Sequence, residues 1–389
     1  RQCYKHNFGI ESHQCIQSTS FRGCNIACSF CWRDVEGREY SFPKVDEPAD
    51  IAGQLIMEQT AIIEQHLPFA LDNYENMIKI VEVLAKRGSS ASIPEIAELA
   101  CISRMRVKDA LNDLKNADTV RENSRKLFGL RKDLIEEAST SPKDIVERLV
   151  ASRKEIIDVH IAAAKPQHVA ISYDGEPTMY SRLGELIREF RQRKISTFLV
   201  TNGTFPERIR ALQDSGDLPT QLYVTMAAPD RDTYLKVCSS VQPFFPVHED
   251  HWKRLNETLS LLSSLSCRTV IRITSVRRVN MIKPEAYREV IQNSQPSFLE
   301  VKGFSISGNA PRISERLGDT SIGFKDPSLM KRALAYAPTH EEIVKFASDI
   351  SGKFSLFPLV SQSELNRQVL MSVAWKDPTK VGIDFANEL

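Results

Sequence analysis

Three cysteines near the start of the chain have the type and the spacing to bind a metal cluster. Cys24, Cys28 and Cys31 follow the pattern C-x3-C-x2-C. Three thiolates from one short loop match three corners of a [4Fe–4S] cubane and leave one iron without a protein ligand. A structural zinc ion needs four ligands; no further Cys or His follows nearby, although His13 or Cys15 could complete such a set. The loop therefore predicts an iron–sulfur cluster, with zinc as the alternative.

The iron without a protein ligand determines which reaction such a cluster can support. It can chelate the amino and carboxylate groups of S-adenosylmethionine (SAM), so that the sulfonium lies beside a reducible cluster. One electron then cleaves the bond from sulfur to C5′ and yields a 5′-deoxyadenosyl radical, so the cofactor supplies the difficult step. Phe30, the aromatic residue before the last cysteine, is predicted to pack on the adenine. This pattern indicates a radical enzyme.

The composition excludes several classes of protein. The 389 residues include 51 basic and 50 acidic side chains, which excludes a strongly cationic nucleic-acid coat but not a local basic patch. No apolar run approaches the roughly 18 residues of a membrane span, and no signal-peptide apolar region opens the chain. The protein is expected to be cytoplasmic. Because residue 1 is Arg, we expect a processed, trimmed or partial chain.

The cysteines are unevenly distributed along the sequence. Five of the eight fall within the first 31 residues, which in a cytoplasmic protein of this size indicates metal or redox chemistry and not a disulfide scaffold. Cys101, Cys238 and Cys267 occur singly, without a Cys or His partner in the sequence. They are predicted to be core thiols.

The elements that position the cysteine loop are predicted from β-branched runs that alternate with amphipathic helical patterns. Such runs indicate a parallel sheet whose strands are buried on both faces. The predicted strands are residues 14–19, 168–173, 196–202, 221–226, 268–274 and 298–304. The sequence thus predicts an α/β chain with a partial (β/α)6 TIM-like barrel. In such barrels the chemistry lies at the carboxyl ends of the strands.

Residues 68–132 interrupt this alternation. The segment is predicted to form helices at 74–87, 94–100 and 104–115, followed by a hairpin of 119–123 and 126–130. This order is typical of a winged helix. Its cations are Arg104, Arg106 and Lys108 on the predicted recognition helix and Arg121, Arg125 and Lys126 on the predicted wing. Contact with DNA or RNA and an ordinary solvated surface are both open interpretations.

Four domains or segments are expected. Residues 1–67 would contain an N-terminal cluster segment and the first barrel unit with the cysteine loop, and 68–132 the inserted winged-helix-like domain. Residues 133–310 would complete the barrel, and 311–389 would be a C-terminal extension that packs on it.

Longer motifs extend along the chain. They are CYKH (3–6), GIESHQCIQ (9–17), CNIACSFCWR (24–33), HVAISYDGEPTMY (168–180), STFLVTNGTFP (196–206), PTQLYVTMAAPDRDTY (219–234), CRTVIRIT (267–274), FLEVKGFSISG (298–308) and PTHEEI (338–343). In this order they resemble the radical SAM superfamily and, within it, the 4-demethylwyosine synthases of tRNA wybutosine biosynthesis. The resemblance spans nearly the whole chain apart from the inserted segment.

The resemblance implies which residues bind the cofactor. In this superfamily a Gly-Glu-Pro turn presents acceptors to the ammonium group of SAM, and a Thr-Asn-Gly strand end lines its pocket. The implied cofactor-binding residues, beside Phe30, are Gly175, Glu176, Pro177, Thr201, Asn202, Gly203, Thr225 and Arg272. Thr225 and Arg272, like Thr274 and Lys302, lie near the ends of later strands, and each could equally be a salt bridge at the rim or a solvated polar residue.

The resemblance also implies a second iron–sulfur cluster. Family members bind it through three N-terminal cysteines about a dozen residues apart, and Cys3 and Cys15 match the second and third of these. The first would precede Arg1, and two buried structural thiols are the alternative. Lys5 matches the family lysine that forms a Schiff base with pyruvate, and a solvated surface lysine is the alternative.

The implied activity is a lyase-class radical SAM synthase. It would condense N1-methylguanosine, 3′ of the anticodon in phenylalanine tRNA, with pyruvate to give 4-demethylwyosine. Because the chain has no flavodoxin-like domain, an external electron donor of the flavodoxin or ferredoxin type is expected, and compact members of this kind are archaeal. The alternatives are an iron–sulfur, SAM-dependent DNA-binding regulator and a radical SAM enzyme of the same family with another substrate.

Overall fold

The computed structural model describes residues 8–34, 46–240, 250–318, 328–352, 356–374 and 382–383, without the side chains of 68–70, 151–154 and 239–240. Its strands, in chain order, are β1 (Cys15–Ser18), β2 (Ile26–Cys28), β3 (Val120–Glu122), β4 (Phe128–Leu130), β5 (His168–Ile171), β6 (Ser196–Thr201), β7 (Gln221–Thr225), β8 (Cys238–Ser240), β9 (Arg268–Ser275), β10 (Phe298–Gly303), β11 (Leu359–Ser363) and β12 (Gln368–Ser372).

The helices separate most of these strands along the chain. They are α1 (Pro48–Arg87), α2 (Ile93–Ala100), α3 (Arg104–Asn116), α4 (Ile135–Thr140), α5 (Pro142–Leu149), α6 (Ala151–Ala163), α7 (Leu183–Gln192), α8 (Pro206–Asp214), α9 (Arg231–Val237), α10 (His251–Leu261), α11 (Pro284–Ser294), α12 (Ile313–Arg316), α13 (Leu329–Leu334) and α14 (His340–Ser351). None of the described helices is both long enough and apolar enough to cross a membrane.

The main sheet has the strand order β1-β5-β6-β7-β9-β10-β12-β11. The first six strands pair in parallel and follow one another in chain order, which confirms the predicted parallel sheet. The sequence did not predict the last two strands. β12 pairs antiparallel with β10, and β11 pairs antiparallel with β12, so the C-terminal segment joins the sheet at its edge.

The two faces of this sheet are both buried, as its apolar strands require. Side chains alternate along each strand, so one face carries Ile171, Leu199 and Ile271, which pack against α7, α8, α10 and α11. The other face carries Phe198, Tyr223 and Phe298, which pack with Phe8 and Ile10 from the segment before β1. Both faces of the sheet are therefore packed against other parts of the chain.

The chain divides into two compact units, one of residues Arg1–Ile56 with Gln167–Leu389 and one of Met57–Pro166. The second unit includes more of the sequence, on both sides, than the predicted insertion of 68–132. The helix predicted at 74–87 is the end of α1, which begins at Pro48. On the other side, α4 to α6 belong to the unit because Ala138, Ile145 and Val146 are buried in its core.

Within the second unit, the predicted order of elements is present. Helix α2 begins with a capping box in which Glu95 accepts a hydrogen bond from the backbone N–H of Ser92 at 2.8 Å. Helix α3 begins after Ser103 and buries Val107 and Leu111. The hairpin β3–β4 follows, and Ala91 bridges to Phe128 beside it.

Candidate functional site

The cysteine loop follows β1, and its middle is a strand of its own. Cys24, Cys28 and Cys31 are half-buried, and none of them is joined in a disulfide. Cys28 is the last residue of β2, which pairs antiparallel with β8, and its Cα partner is Cys238. The backbone N–H of Ser29 donates to the carbonyl of Val237 at 2.8 Å. The middle of the loop, residues 26–29, is thus paired with the chain at the end of α9 and in β8.

The turn after β5 contacts the backbone just before the first cysteine. Gly175 has a φ of +73°, and a Cβ at this position would lie 1.9 Å from the carbonyl oxygen of Phe21. The next residue, Glu176, donates its backbone N–H to the carbonyl of Gly23 at 2.7 Å. Only glycine allows this approach, so the Gly-Glu-Pro turn fixes where the cysteine loop begins.

The carboxylate of Glu176 connects the ends of two strands. It is buried and accepts hydrogen bonds from the hydroxyl of Thr201 at 2.6 Å and from the backbone N–H of Asn202 at 2.7 Å. The N–H and hydroxyl of Thr178 donate to it as well. Burial raises the pKa of this carboxyl, and the hydrogen bonds from Asn202, Thr178 and Thr201 oppose that rise. In this structure the side chain binds its neighbouring loops, which is a positioning role.

Asn202 reaches from the end of β6 to the cysteine loop. Its side-chain amide donates to Asn25 Oδ1 at 2.9 Å and to Cys24 Sγ at 3.9 Å. The amide of Asn25 in turn donates to the hydroxyl of Thr204 at 2.8 Å. A donor directed at a ligand sulfur is one of the features that set the reduction potential of an iron–sulfur cluster. The position of Asn202 was predicted, but its contact with Cys24 was not.

The far side of the loop is held by a residue that the sequence analysis missed. The guanidinium of Arg316, at the end of α12, donates to the carbonyl of Cys31 at 2.6 Å, and to those of Ser29 at 3.3 Å and Arg33 at 3.2 Å. These residues are 283 to 287 positions away in sequence, so no local pattern could have indicated the contact. One cation thus fixes three carbonyls around the last cysteine.

Two further contacts hold the residues just after the last cysteine of the loop, Trp32 and Arg33. Gly308 has a φ of +52°, and a Cβ there would lie 2.3 Å from the carbonyl oxygen of Trp32, which also accepts the backbone N–H of Asn309 at 2.7 Å. Arg33 forms an ion pair with Asp174, with 2.6 Å between nitrogen and oxygen. The loop is therefore held by residues that follow β5, β6, β7 and β10.

The predicted residues on the later strands lie on the face that carries Tyr223 and Phe298. Arg272 is buried, donates to Glu300 at 2.6 Å and lies 4.5 Å from the ring centroid of Tyr223. Thr225, its partner on β7, is half-buried. The guanidinium of Arg272 is therefore engaged in a buried ion pair with Glu300.

The other predicted residues are distributed as follows. Phe30 is half-buried and packs against apolar side chains of two core clusters. Pro177 and Gly203 are buried at the ends of their loops. Cys15 is the first residue of β1 and is buried beside Phe8. Cys3 and Lys5 lie outside the described residues.

The three single cysteines do not share one environment. Cys101 is exposed, because it ends α2 in a left-handed turn with a φ of 54°, so its prediction as a core thiol was wrong. Cys267 fits that prediction in part: the residue is half-buried, and burial of its thiol raises the pKa to about 12. Cys238 is buried, but it has a cysteine partner, because its sulfur lies 3.6 Å from that of Cys28.

Two buried hydroxyls near the cysteines lack hydrogen-bond partners among the described residues. They are Ser29 Oγ, within the loop, and Tyr234 Oη, on α9. Burial and the neighbouring Cys238, Cys28 and Cys24 raise the pKa of the Tyr234 hydroxyl well above its ordinary value. Buried hydroxyls usually have partners, so a bound group with acceptor atoms would satisfy both of these.

Comparison with known proteins shows which proteins this chain resembles. The sequence profile of the Radical SAM superfamily matches residues 133–290. The S-adenosyl-L-methionine-dependent tRNA 4-demethylwyosine synthase of Pyrococcus horikoshii is 28% identical over 389 residues, which cover 99% of this chain and 82% of that protein. The synthase of Mus musculus is 28% identical over 352 residues, 90% of this chain and 33% of the mouse protein. The chain thus contains a match to the Radical SAM superfamily, and over nearly its whole length it is similar to tRNA 4-demethylwyosine synthases.

Two solved TYW1 structures have the same fold as this chain. A structure of TYW1 with a lysine–pyruvate adduct bound superposes with a TM-score of 0.58 and 23% identity, and covers 98% of this chain and 88% of that one. An archaeal TYW1 crystal structure gives a TM-score of 0.54 and 21% identity, with 98% of this chain and 87% of that one covered.

The cofactors of a radical SAM enzyme are a [4Fe–4S] cluster and SAM, and the residues present fit them. The donor set consists of three half-buried thiols on one loop, with two buried hydroxyls beside them that lack partners. No three His, Cys, Asp or Glu side chains in the described ranges converge as the ligands of a single metal ion would. A cubane binds each thiolate through a different iron, so its ligands surround a volume and need not converge. This donor arrangement favours the cluster over a zinc ion.

Proposed function

We propose that this chain is a tRNA 4-demethylwyosine synthase, which condenses N1-methylguanosine in phenylalanine tRNA with pyruvate. The observation that carries the proposal is similarity to synthases of this name over 99% of the chain. The anchored C-x3-C-x2-C loop supplies the chemistry that such a reaction needs, because an unactivated N-methyl group reacts only with a strong hydrogen-abstracting species.

We propose that Cys24, Cys28 and Cys31 bind the cluster and that the loops after β5 and β6 bind SAM. When bound, the cluster and SAM supply a 5′-deoxyadenosyl radical after one-electron reduction. The chain's own residues fix the loop: Asn202 donates to Cys24 and Arg316 donates to the carbonyl of Cys31. Glu176 holds the two loops together, and Gly175, Pro177, Thr201 and Gly203 shape the same pocket.

The finer fold assignments belong to the same proposal. Six parallel strands in chain order support a partial (β/α)6 barrel that opens at the cysteine loop. The order α2, α3, β3 and β4, with Ala91 bridging to Phe128, supports a winged helix in the second unit. We propose that this unit contacts the tRNA substrate through phosphates, as RNA-binding modules do.

Pyruvate is proposed to react with Lys5, beside an auxiliary cluster held by Cys3 and Cys15. The support is the Cys3-Tyr4-Lys5-His6 motif, together with the lysine–pyruvate adduct of the TYW1 structure that shares this fold. Cys15 lies at the first residue of β1, on the sheet face that also carries Arg272. An external flavodoxin- or ferredoxin-type protein is proposed to supply the electron.

An anaerobic assay with mass spectrometry tests the proposal. The reconstituted protein is given dithionite, SAM, pyruvate and tRNA-Phe that contains N1-methylguanosine, and the digested nucleosides are measured. The expected result is 4-demethylwyosine that is absent without pyruvate. The product should be lost in Cys24→Ala and kept in Cys267→Ala, a matched change of a cysteine outside the loop.

Two further results would redirect the proposal. Formation of 5′-deoxyadenosine without a tricyclic nucleoside would keep the radical enzyme and overturn the substrate. Full product formation by Lys5→Arg, which keeps the charge but forms no imine with pyruvate, would overturn the role of Lys5. A preference for duplex DNA over tRNA, with no SAM cleavage, would favour the regulator.

A further inference from the structure

Cys238 is the one thiol that the proposed function leaves without a role although it lies beside the cysteine loop. It is 4% exposed, and its Sγ lies 3.6 Å from Cys28 Sγ. The two residues are direct Cα partners at the end of the β2–β8 ladder. They are 210 positions apart in sequence, so the proximity is created by the fold alone.

The backbone geometry of this pair suits a covalent bond. Directly opposite residues of an antiparallel ladder have Cα atoms about 4.5 to 5.5 Å apart. Disulfides join cysteines whose Cα atoms are about 4.4 to 6.8 Å apart. The sulfurs already lie in contact, so a small rotation of the two side chains would suffice.

We infer that Cys28 and Cys238 form a reversible disulfide when the cluster is absent, and that this bond prevents cluster assembly until it is reduced. The inference rests on the proposed function in one respect, that Cys28 is a cluster ligand. A disulfide removes one of the three thiolates on which assembly depends. It also keeps that thiol from irreversible oxidation, because a disulfide is returned to thiols by exchange.

The oxidant is a low-molecular-weight disulfide. The Cys28 thiolate attacks one of its sulfurs first, because Cys28 is half-buried and Cys238 is almost fully enclosed. A mixed disulfide forms and one small thiolate leaves. The Cys238 thiolate then displaces the second. Two protein thiols lose two electrons and two protons, and one small disulfide becomes two thiols.

The test uses the full chain before and after cluster reconstitution, with oxidised glutathione as the probe. The cluster-free protein is incubated with the probe anaerobically, its remaining thiols are alkylated, and the digest is mapped without reduction. The expected result is a peptide pair joined through Cys28 and Cys238. Iron binding should then be lost, and dithiothreitol should restore it.

Variants make the outcome specific. In Cys238→Ser and Cys238→Ala, iron loading should survive glutathione treatment better than in the unaltered protein. Cys267→Ser, a matched change of a half-buried cysteine outside the loop, should behave as the unaltered protein does. A dominant disulfide between two cysteines of the loop, or equal loss of iron binding in both Cys238 variants, would overturn the inference.

A separate measurement distinguishes this inference from the proposed function. The reduced, reconstituted protein and both Cys238 variants are assayed for 5′-deoxyadenosine formation before any oxidation. If none of them forms it, the proposed function fails, whatever the disulfide map shows. If all form it but Cys28 and Cys238 do not join, the disulfide inference alone fails.

Discussion

The edge of the sheet that carries the cysteine loop and the surface of the second unit use polar side chains in opposite ways. Around the loop, hydrogen bonds join segments far apart in the chain, such as Asn25 to Thr204 and Arg316 to Cys31. In the second unit, ion pairs lie at the exposed surface, such as that of Arg121 and Asp118, whose side chains are 66% and 60% exposed.

The difference shows how each region obtains its stability. An exposed ion pair contributes little, because water and salt screen it. A buried polar group that loses its partner costs far more, because it has already lost its contact with water. The second unit therefore depends on its apolar core, and the loop depends on each of its polar contacts.

The largest effect is expected for Gly175→Ala, which should abolish cluster binding. The new Cβ would lie 1.9 Å from the carbonyl of Phe21, so the turn or the cysteine loop must move. Iron content after reconstitution measures the loss. Gly53→Ala, in α1 where a Cβ meets nothing within 4 Å, should load iron fully. Normal loading by Gly175→Ala would mean that the loop is not held as described.

The next largest effect is expected for Arg272→Ala. The change would leave the carboxylate of Glu300, which has no exposed surface, without its cation at 2.6 Å. Such a buried charge should lower the free energy of unfolding by about 3–5 kcal/mol, measured in urea. The double variant Arg272→Met with Glu300→Gln should recover part of that loss. No recovery would mean that the cost arises from packing and not from the unpaired charge.

Arg316→Ala should have a smaller but still clear effect. It removes a charged donor from three loop carbonyls, which should cost about 2–3 kcal/mol and speed the loss of iron under chelator. Arg312→Ala, which alters an ion pair with Glu315 at the surface, is the matched control and should leave iron release unchanged. Equal effects of the two variants would contradict a specific contact with the loop.

A moderate effect on tRNA binding is expected for Arg104→Ala with Lys108→Ala. Both side chains lie on the exposed face of α3, and neither has an ion-pair partner within the described part of the chain. If each contacts a phosphate, the slope of log affinity against log salt should fall by about two. Arg106→Ala is the control on the same helix, because Arg106 is paired with Asp72 at 3.0 Å. An unchanged slope would remove this face from the proposed interface.

The smallest effect is expected for Arg121→Ala in the hairpin of the second unit. The side chains of the Arg121–Asp118 pair are largely exposed to water, so the unfolding midpoint in urea should hardly move. Hydrogen bonds from Arg121 and Arg131 hold the pKa of Asp118 below its usual value. Any contribution of the ionised Asp118 to the free energy of unfolding is therefore present near neutral pH. It is lost as the pH falls through that lowered pKa. A large loss of stability at neutral pH would remove the contrast between the two regions.

Much of the fold could be predicted because its signals are local. The six parallel strands lie within the predicted runs or differ from them by a residue at the ends, since apolar periodicity records burial along a segment. The cysteine spacing likewise predicted the loop. In the C-terminal hairpin, β11 carried little apolar alternation, because its residues are exposed or half-buried, so this pair of strands was missed. The sequence predicted only residues 74–87 of α1, which begins at Pro48.

The contacts that hold the site could not be predicted in the same way. Arg316, Asn25 and Cys238 carry no local signal, because each acts through a partner that only the folded sheet brings near. Cys101 was assigned to the core because it has no Cys or His partner in the sequence, but the left-handed turn that ends α2 exposes it.

The distance in sequence between Arg316 and the loop also bears on the order of events during synthesis. Arg316 follows Ser29 by 287 residues, so at about 5–20 residues per second the ribosome needs about 15–60 s to add it. During that interval the cysteines have been translated but lack the cation that fixes their carbonyls. Insertion of the cluster is therefore expected to follow completion of the chain, and a protein truncated before Arg316 should emerge without iron.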